Sequence, residues 1–200
     1  MWAGRGREVG AATRLGDNGG MDTALTQSLI ELEQHVAKDG WDQEPRLFAL
    51  VDTAELIKAE PRLAAALAPE TVELEGAIGP LRSYTSIEQE GFPGDKPLDE
   101  ALTAIAWPST VDGVALVVER VMLPPTAEAQ MPDAGADVDL DAWVAAHPER
   151  QEVRIAVGVL RGGARDCALR LRSRDADDDV LSGPDLVPNL AEALAHTLQD

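Results

Sequence analysis

The sequence predicts an α+β fold, in which a mainly antiparallel sheet of about three to five strands packs against an N-terminal helical hairpin and a C-terminal helix. Three observations lead to this fold class. Helical and strand-like segments follow one another in mixed order, without the repeated strand–helix–strand rhythm of a parallel sheet. Residues 152–174 carry the pattern of a β-hairpin. A leucine stripe with helical spacing follows that hairpin.

The hairpin register follows from the positions of its apolar residues, which alternate with polar or small residues along both arms. A three-residue loop at 161–163 pairs Val157 with Cys167 and so places both apolar sets on one face. A two-residue loop would pair Val157 with Ala168 and mix the faces. Because a slip of one residue turns every side chain over, we predict the three-residue loop. Gly163 then supplies the left-handed residue with which such loops end.

The apolar face of this hairpin needs a cover, because each buried aliphatic side chain is worth roughly 1.5–3 kcal/mol. The C-terminal segment offers one helical stripe of leucines. Asp185 is the predicted N-cap, and Pro188 falls in the first turn, where a missing N–H costs little. The leucines of the stripe are Leu186, Leu190, Leu194 and Leu198.

The N-terminal part predicts two antiparallel helices. Asp22 caps the first, which carries a leucine and valine stripe and stops at Gly40. Asp42 opens the second, with Pro45 in its first turn. The inward residues are Leu25, Leu29, Leu32 and Val36 in the first helix and Leu47, Leu50, Val51, Ala54 and Ile57 in the second.

The middle of the chain predicts two more strands and two short helices. Residues 84–90 form an edge strand that ends at a Gly-Phe-Pro-Gly break. Residues 114–123 are almost continuously apolar, which predicts a central strand with both faces covered at its start. The short helices span residues 98–106 and 140–147.

Composition limits the function classes. The net charge of −19 argues against nucleic-acid binding and against docking on anionic lipid. No apolar run is long enough to cross a membrane, and no secretory signal is recognisable, so we expect a cytoplasmic protein. We interpret residues 1–20 as a disordered leader and residues 21–200 as a single α+β domain. The one cysteine, Cys167, is expected to be a buried, inert thiol.

No motif for a cofactor or a metal stands out, and we predict neither. Asp137, Asp139 and Asp141 have the first spacing of a calcium loop, but the positions that need Gly and Glu hold Ala142 and Pro148. These aspartates are better explained as acidic residues at a helix N-terminus. Two further carboxylates, Glu88 and Glu90, share one side of the edge strand and could act as a catalytic pair.

Arginine is concentrated in the hairpin. Residues 151–174 hold six arginines against Glu152 and Asp166, a net charge of 6 − 2 = +4, which leaves −19 − 4 = −23 for the rest of the chain. We predict that the face opposite the apolar one is open, flat and small-sided. Its arginines either pair with the chain's own acidic segments or bind an acidic partner or a second copy. The candidate binding residues are Arg154, Arg170, Arg172, Arg161 and Arg165.

Three stretches, residues 85–93 (TSIEQEGFP), 115–125 (ALVVERVMLPP) and 143–172 running on into SGPDLVPNLAEAL, together resemble an actinobacterial family of conserved uncharacterised proteins known by a placeholder locus-tag name. The resemblance spans roughly Met21 to the C-terminus. It implies no activity, cofactor or catalytic residue, and it supports the interpretation of residues 1–20 as additional to the family's common part.

From these observations we expect a non-enzymatic protein-interaction module, an adaptor or chaperone-like protein with a protein partner or a homodimer at the hairpin face. The alternative is a small enzyme that uses Glu88 or Glu90 with a nearby arginine on an anionic substrate.

Overall fold

The structure, a computed structural model, describes residues 22–67, 82–93, 96–132, 138–184 and 186–199. The predicted leader, residues 1–20, lies outside the described residues. The strands are β1 (Arg46–Asp52), β2 (Tyr84–Glu88), β3 (Gly113–Met122), β4 (Gln151–Leu160), β5 (Arg165–Leu171) and β6 (Leu181–Ser182). The helices are α1 (Thr23–Ala37), α2 (Thr53–Ala59), α3 (Ala64–Leu67), α4 (Leu98–Thr103), α5 (Pro125–Glu128), α6 (Leu140–Ala146) and α7 (Pro188–Thr197).

The six strands form one antiparallel sheet in the order β2-β1-β3-β4-β5-β6. The α+β class is confirmed, with more strands than expected because β1 and β6 were not predicted. The central position of β3 is confirmed, since it lies between β1 and β4 and its first six residues are buried. β2 is an edge strand, as its sequence predicts.

The register of the β4–β5 hairpin is confirmed. Val157 pairs with Cys167, and the pairing continues outward to Val153 and Leu171. The loop is closed by a hydrogen bond of 2.8 Å from the Leu160 N–H to the Ala164 carbonyl. Gly163 has a φ of +87°, a left-handed conformation that a side chain would disfavour.

The apolar face of the hairpin, which we call the α7 face, is covered by α7 as predicted. Leu194 and Ala191 are buried against the apolar residues of β3, β4 and β5. The helix begins at Pro188, so Leu186 precedes it and stays 44% exposed, which shortens the predicted stripe. The predicted cap, Asp185, lies outside the described residues. Trp107 fixes the helix end by donating to Thr197 Oγ1 at 3.0 Å.

The opposite side of the sheet, which we call the α1 face, is covered by α1. Asp22 caps this helix as predicted, with Oδ1 accepting from the N–H groups of Ala24 and Leu25 at 3.0 and 3.1 Å. The predicted stripe of Leu25, Leu29, Leu32 and Val36 is buried against the sheet. The sheet therefore lies between two helical layers, α7 on one face and α1 on the other.

The predicted N-terminal helical hairpin is wrong. Residues 46–52 of the expected second helix form strand β1, and only Thr53–Ala59 are helical. Five consecutive apolar residues, 47–51, fill both faces of β1 between its neighbours, and periodicity alone does not separate such a run from a buried helix. Asp52 then ends the strand and caps α2 by accepting from the Ala54 N–H at 2.9 Å.

Candidate functional site

The face on which the arginines were expected to be open is closed by the chain itself. Arg154 and Arg170 lie on the α1 face as the alternation requires, but their exposed fractions are 0% and 1%. Glu33 of α1 lies over both and is also fully buried. The prediction of an open, arginine-bearing sheet face is therefore wrong.

The small residues of this face explain why α1 covers it. A side chain at Gly158 would place its Cβ 2.9 Å from Leu29 Cδ2 and 3.1 Å from Leu25 Cδ1. Ala156 and Ala168 beside it are also completely buried. The flat surface is a docking surface, as its composition indicates, and its occupant is the chain's first described helix.

The two buried arginines are neutralised by a carboxylate network. Arg170 donates to both oxygens of Glu33 at 2.7 Å, a bidentate pair, and its Nη2 also donates to Asp177 at 2.8 Å. Arg154 donates to Glu119 at 2.8 Å and to Glu33 at 3.5 Å. Hydrogen bonding to Glu33 raises the pKa of Arg170 above its ordinary value. These contacts match the first of the two explanations given for the arginines, in which they pair with the chain's own acidic residues.

Arg172 lies at the outer end of the same network. It donates to both carboxylate oxygens of Asp42 at 2.8 and 3.0 Å and to Glu152 at 2.6 Å. Hydrogen bonding to Arg172 lowers the pKa of Asp42 below its ordinary value. The ring of Trp41 lies 4.3 Å from the Arg154 guanidinium and 5.5 Å from that of Arg172. Together these contacts fasten the loop after α1 to the hairpin.

Arg161 and Arg165 lie at the other end of the hairpin, so the five predicted binding residues do not form one site. Arg161 donates to backbone carbonyls, among them Leu198 O at 2.6 Å and Val111 O at 2.9 Å. It thereby ties the hairpin loop to the end of α7. Both arginines line a cleft of about 250 Å³ between that loop and α7, which Glu192 also lines. A binding role for these arginines stays a prediction.

A groove of about 590 Å³ opens between the end of β2 and α4. Leu47 and Trp107 form buried parts of its wall, and the half-buried Phe92 and Ile105 pack against the same core. Charged residues line it as well, namely Glu90, Lys96 and Glu100. The groove thus combines apolar walls with exposed charges, the usual composition of a ligand site.

The predicted carboxylate pair is divided between two environments. Glu88 forms a bidentate pair with Arg46, which donates from Nε at 2.7 Å and from Nη2 at 2.6 Å. This hydrogen bonding lowers the pKa of Glu88 below its ordinary value. Glu90 lies beyond the end of β2 and lines the groove. The nearby arginine of the enzymatic hypothesis is present, but it engages Glu88 and leaves that carboxylate a weak base.

Cys167 and Asp139 have the structural roles that the sequence predicts for them. Cys167 is a buried thiol, and Asp139 is an acidic residue at a helix N-terminus. Burial raises the pKa of the Cys167 thiol to about 11, and the thiol donates to the Gly183 carbonyl at 3.0 Å. Asp139 caps α6 by accepting from the Ala142 N–H at 3.1 Å, whereas Asp137 lies outside the described residues. Among the residues that the structure describes, no group of three or more His, Cys, Asp or Glu side chains is arranged to hold a metal ion.

Apart from Glu90, a member of the predicted carboxylate pair, the sequence does not predict the groove residues as a site. Phe92 belongs to the Gly-Phe-Pro-Gly break that the sequence predicts after the edge strand, and Trp107 follows the last residue of the predicted helix 98–106. An aromatic residue in a turn between two buried elements is a usable signal, since a turn alone has little reason to contain one.

No helix of the described ranges is long and apolar enough to cross a membrane.

A family model described as PPA1309-like protein matches residues 25–199, and the chain belongs to this family. The resemblance seen in the sequence is thereby confirmed at the level of an uncharacterised family. No curated protein matches the chain. No solved structure matches it either.

Proposed function

We propose that this PPA1309-like protein is a non-enzymatic protein-interaction module, adaptor or chaperone-like, which holds a short apolar segment of a partner protein in the groove between β2 and α4. The observation that carries the proposal is the groove itself. Its volume of about 590 Å³ falls within the roughly 300–1,000 Å³ of ligand sites. Its walls contain the aromatic side chains that anchor binding segments.

The charge of the groove lining and of the whole chain favours one kind of partner segment. The groove lining holds two acidic side chains, Glu90 and Glu100, and one basic side chain, Lys96, a net charge of 1 − 2 = −1, on a chain whose net charge is −19. Such a surface favours a segment in which apolar anchors are flanked by lysine or arginine. The acidic body keeps the protein soluble and accelerates encounters with basic partners. We place this interaction in the cytoplasm, in keeping with a chain whose one cysteine is a buried thiol.

The enzymatic alternative has less support. It needs a carboxylate that accepts a proton near neutral pH, and the ion pair with Arg46 works against this at Glu88. Glu90 lines the groove together with Lys96 and Glu100, which suits binding of a charged segment as well as it suits catalysis.

The test blocks the groove without disturbing the core. Ala104 lines the groove and is exposed, so Ala104→Trp fills the site from its rim. Ala145 on α6 is exposed and does not line the groove, and Ala145→Trp is the matched control. The probe is an amphipathic peptide of leucine and lysine, and a peptide of leucine and glutamate serves as the charge control. Binding is measured by calorimetry and by amide chemical shifts.

We expect the leucine–lysine peptide to bind the parent protein and the Ala145→Trp variant equally, with shifts at the groove residues. Ala104→Trp should weaken binding at least about tenfold, the loss that corresponds to roughly 1.4 kcal/mol. Equal binding by Ala104→Trp, or shifts confined to another surface, would refute the proposed site. Equal binding of the two peptides would refute the charge selection.

A further inference from the structure

The β2 edge of the sheet carries a row of hydrogen-bonding groups that point away from β1. The Gln89 N–H donates to Leu47 O, and the Thr53 N–H donates to Ser83 O, which fixes the odd-numbered residues of β2 as those bonded to β1. Tyr84, Ser86 and Glu88 therefore direct their backbone N–H and C=O groups outward. Such an exposed edge is a template for another strand.

One of these outward groups already shows a partner. The Ser28 hydroxyl of α1 donates to the Tyr84 carbonyl at 3.3 Å, which confirms the direction of the row. No hydrogen bond in the described part of the chain engages the outward backbone groups of Ser86 or Glu88. Ile87 beside them is 41% exposed although it is a large apolar residue. The other edge, β6, spans only two residues.

The β2 strand is complementary to a second copy of itself. In an antiparallel pair with a two-fold axis at Ser86, all five residues of the strand find a partner: Tyr84 lies opposite the partner's Glu88, and Thr85 lies opposite the partner's Ile87. The outward N–H and C=O groups of Ser86 and Glu88 and the N–H of Tyr84 then each meet a matching group, whereas the Tyr84 carbonyl already accepts from Ser28. A two-fold axis at any other residue of β2 leaves part of the strand unpaired.

The flanking charges favour the same register. It places Arg82 opposite the partner's Glu90, and by symmetry Glu90 opposite the partner's Arg82. The Arg82 side chain is 54% exposed, and Glu90 is exposed. Arg82 uses its Nε for Asp52 at 3.1 Å and stacks 4.9 Å from the Tyr84 ring, which holds the guanidinium beside the strand. Opposite charges across a strand pair stabilise it, and like charges destabilise it.

We infer that the chain forms a two-fold symmetric dimer by antiparallel pairing of β2 with β2 of a second copy, so that two six-stranded sheets join into one. The inference of this dimer does not rest on the proposed groove function. It nevertheless brings the partner's Arg82 next to Glu90, which lines the groove. This dimer differs from the one first considered at the hairpin face, which α1 covers.

The first test exchanges the flanking charges. Arg82→Glu and Glu90→Arg each place two like-charged pairs in the interface, and the double variant restores two opposite-charged pairs. Measured by sedimentation equilibrium, each single variant should raise the dimer dissociation constant by about tenfold, and the double variant should return to within about threefold of the parent. A parent protein that is monomeric at all concentrations, or a double variant as weak as the singles, overturns the inference.

The second test fixes the register by cysteine crosslinking. Residues opposite each other in a hydrogen-bonded pair have Cα atoms about 5.5 Å apart, within the roughly 4.4–6.8 Å of a disulfide. Under mild oxidation Ser86→Cys should give a covalent dimer, because the two positions face each other across the axis. Ile87→Cys is the matched control, displaced by two residues from its own copy. The native Cys167 is buried and does not interfere. Faster crosslinking of Ile87→Cys than of Ser86→Cys would refute this register.

The two proposals fail separately. Peptide binding in the groove is measured with Ser86→Cys kept reduced, and dimerisation is measured with Ala104→Trp. Loss of dimers with intact peptide binding overturns the interface alone, and loss of peptide binding with intact dimers overturns the groove alone.

Discussion

The two faces of the β4–β5 hairpin are buried equally well by opposite chemistry. On the α7 face, aliphatic side chains of the hairpin contact the leucines of α7. On the α1 face, Arg154 and Arg170 are as inaccessible as those aliphatic residues, and the carboxylates of Glu33 and Glu119 neutralise them. A charged residue on a sheet is therefore a poor sign of exposure when its neighbours are glycine and alanine. The small residues admit a helix, and one acidic residue on that helix completes the pairing.

The largest effect is expected at the charged face. Glu33→Leu leaves Arg170 buried without its bidentate partner, and we expect the free energy of unfolding to fall by about 3–5 kcal/mol. Urea denaturation monitored by circular dichroism measures the loss.

The control removes both partners of that pair. Glu33→Leu with Arg170→Met leaves Arg154 paired with Glu119 and should recover most of the loss, because no unpaired charge is then buried at Arg170. A double variant no more stable than Glu33→Leu alone would mean that the face depends on packing rather than on charge pairing.

The apolar face should respond to the loss of volume alone. Leu194 is fully buried, and Leu194→Ala should lower the free energy of unfolding by about 3 kcal/mol through lost burial and the cavity that remains. Unlike the loss in Glu33→Leu, this loss of stability should not be recovered by a second substitution that restores charge balance. A loss that depends on salt concentration would contradict the purely apolar character of this face.

The close approach of α1 to the sheet gives a smaller effect. Gly158→Ala brings a Cβ into contact with Leu29, which is itself buried, and we expect a loss of about 1–2 kcal/mol. Gly162→Ala is the matched control, because its Cβ would meet no atom within 4 Å. Thermal unfolding compares the two. Equal melting temperatures would show that α1 can move away from the sheet at little cost.

The smallest effect is a pH dependence at the sheet edge, outside both faces of the hairpin. Arg46 holds the pKa of Glu88 below its ordinary value of 4.5, so the pair contributes stability that is fully present above that value and is lost as the pH falls through the folded pKa. Because Glu88 is partly exposed, the contribution is at most about 0.5 kcal/mol. Glu88→Gln should flatten the stability curve below pH 4.5 and change little at pH 7. If the stability of Glu88→Gln falls below pH 4.5 as steeply as that of the parent protein, the pair is not maintained in solution.

Local alternation was sufficient to predict the hairpin, because only one loop length puts Val157 and Cys167 on the same face. The edge position of β2 and the central position of β3 also followed from their patterns. Strand β1 did not, because its run of apolar residues fits a helix stripe as well as a doubly buried strand. The sequence signal that separates the two is Asp52, followed by Glu55, a helix start in the middle of the supposed helix.

The site was harder to predict than the fold. The arginines were recognised as a group, but their burial depends on Glu33, which is distant in sequence and borders the apolar stripe of α1, where the sequence alone does not show its partners. The groove depends on Phe92 and Trp107, which lie in two separate turns and line the same cavity. Such contacts between distant segments leave no periodic pattern in either segment.

The position of α7 in the chain has a consequence for biosynthesis. A ribosome delivers β4 and β5 before it delivers the helix that shields them, and at about 5–20 residues per second the delay lasts on the order of seconds. During this interval the apolar face of the β4–β5 hairpin has no helix to cover it. A pause in translation between residues 171 and 188 would prolong this uncovered state. It would thereby promote aggregation or the binding of chaperones to the nascent chain.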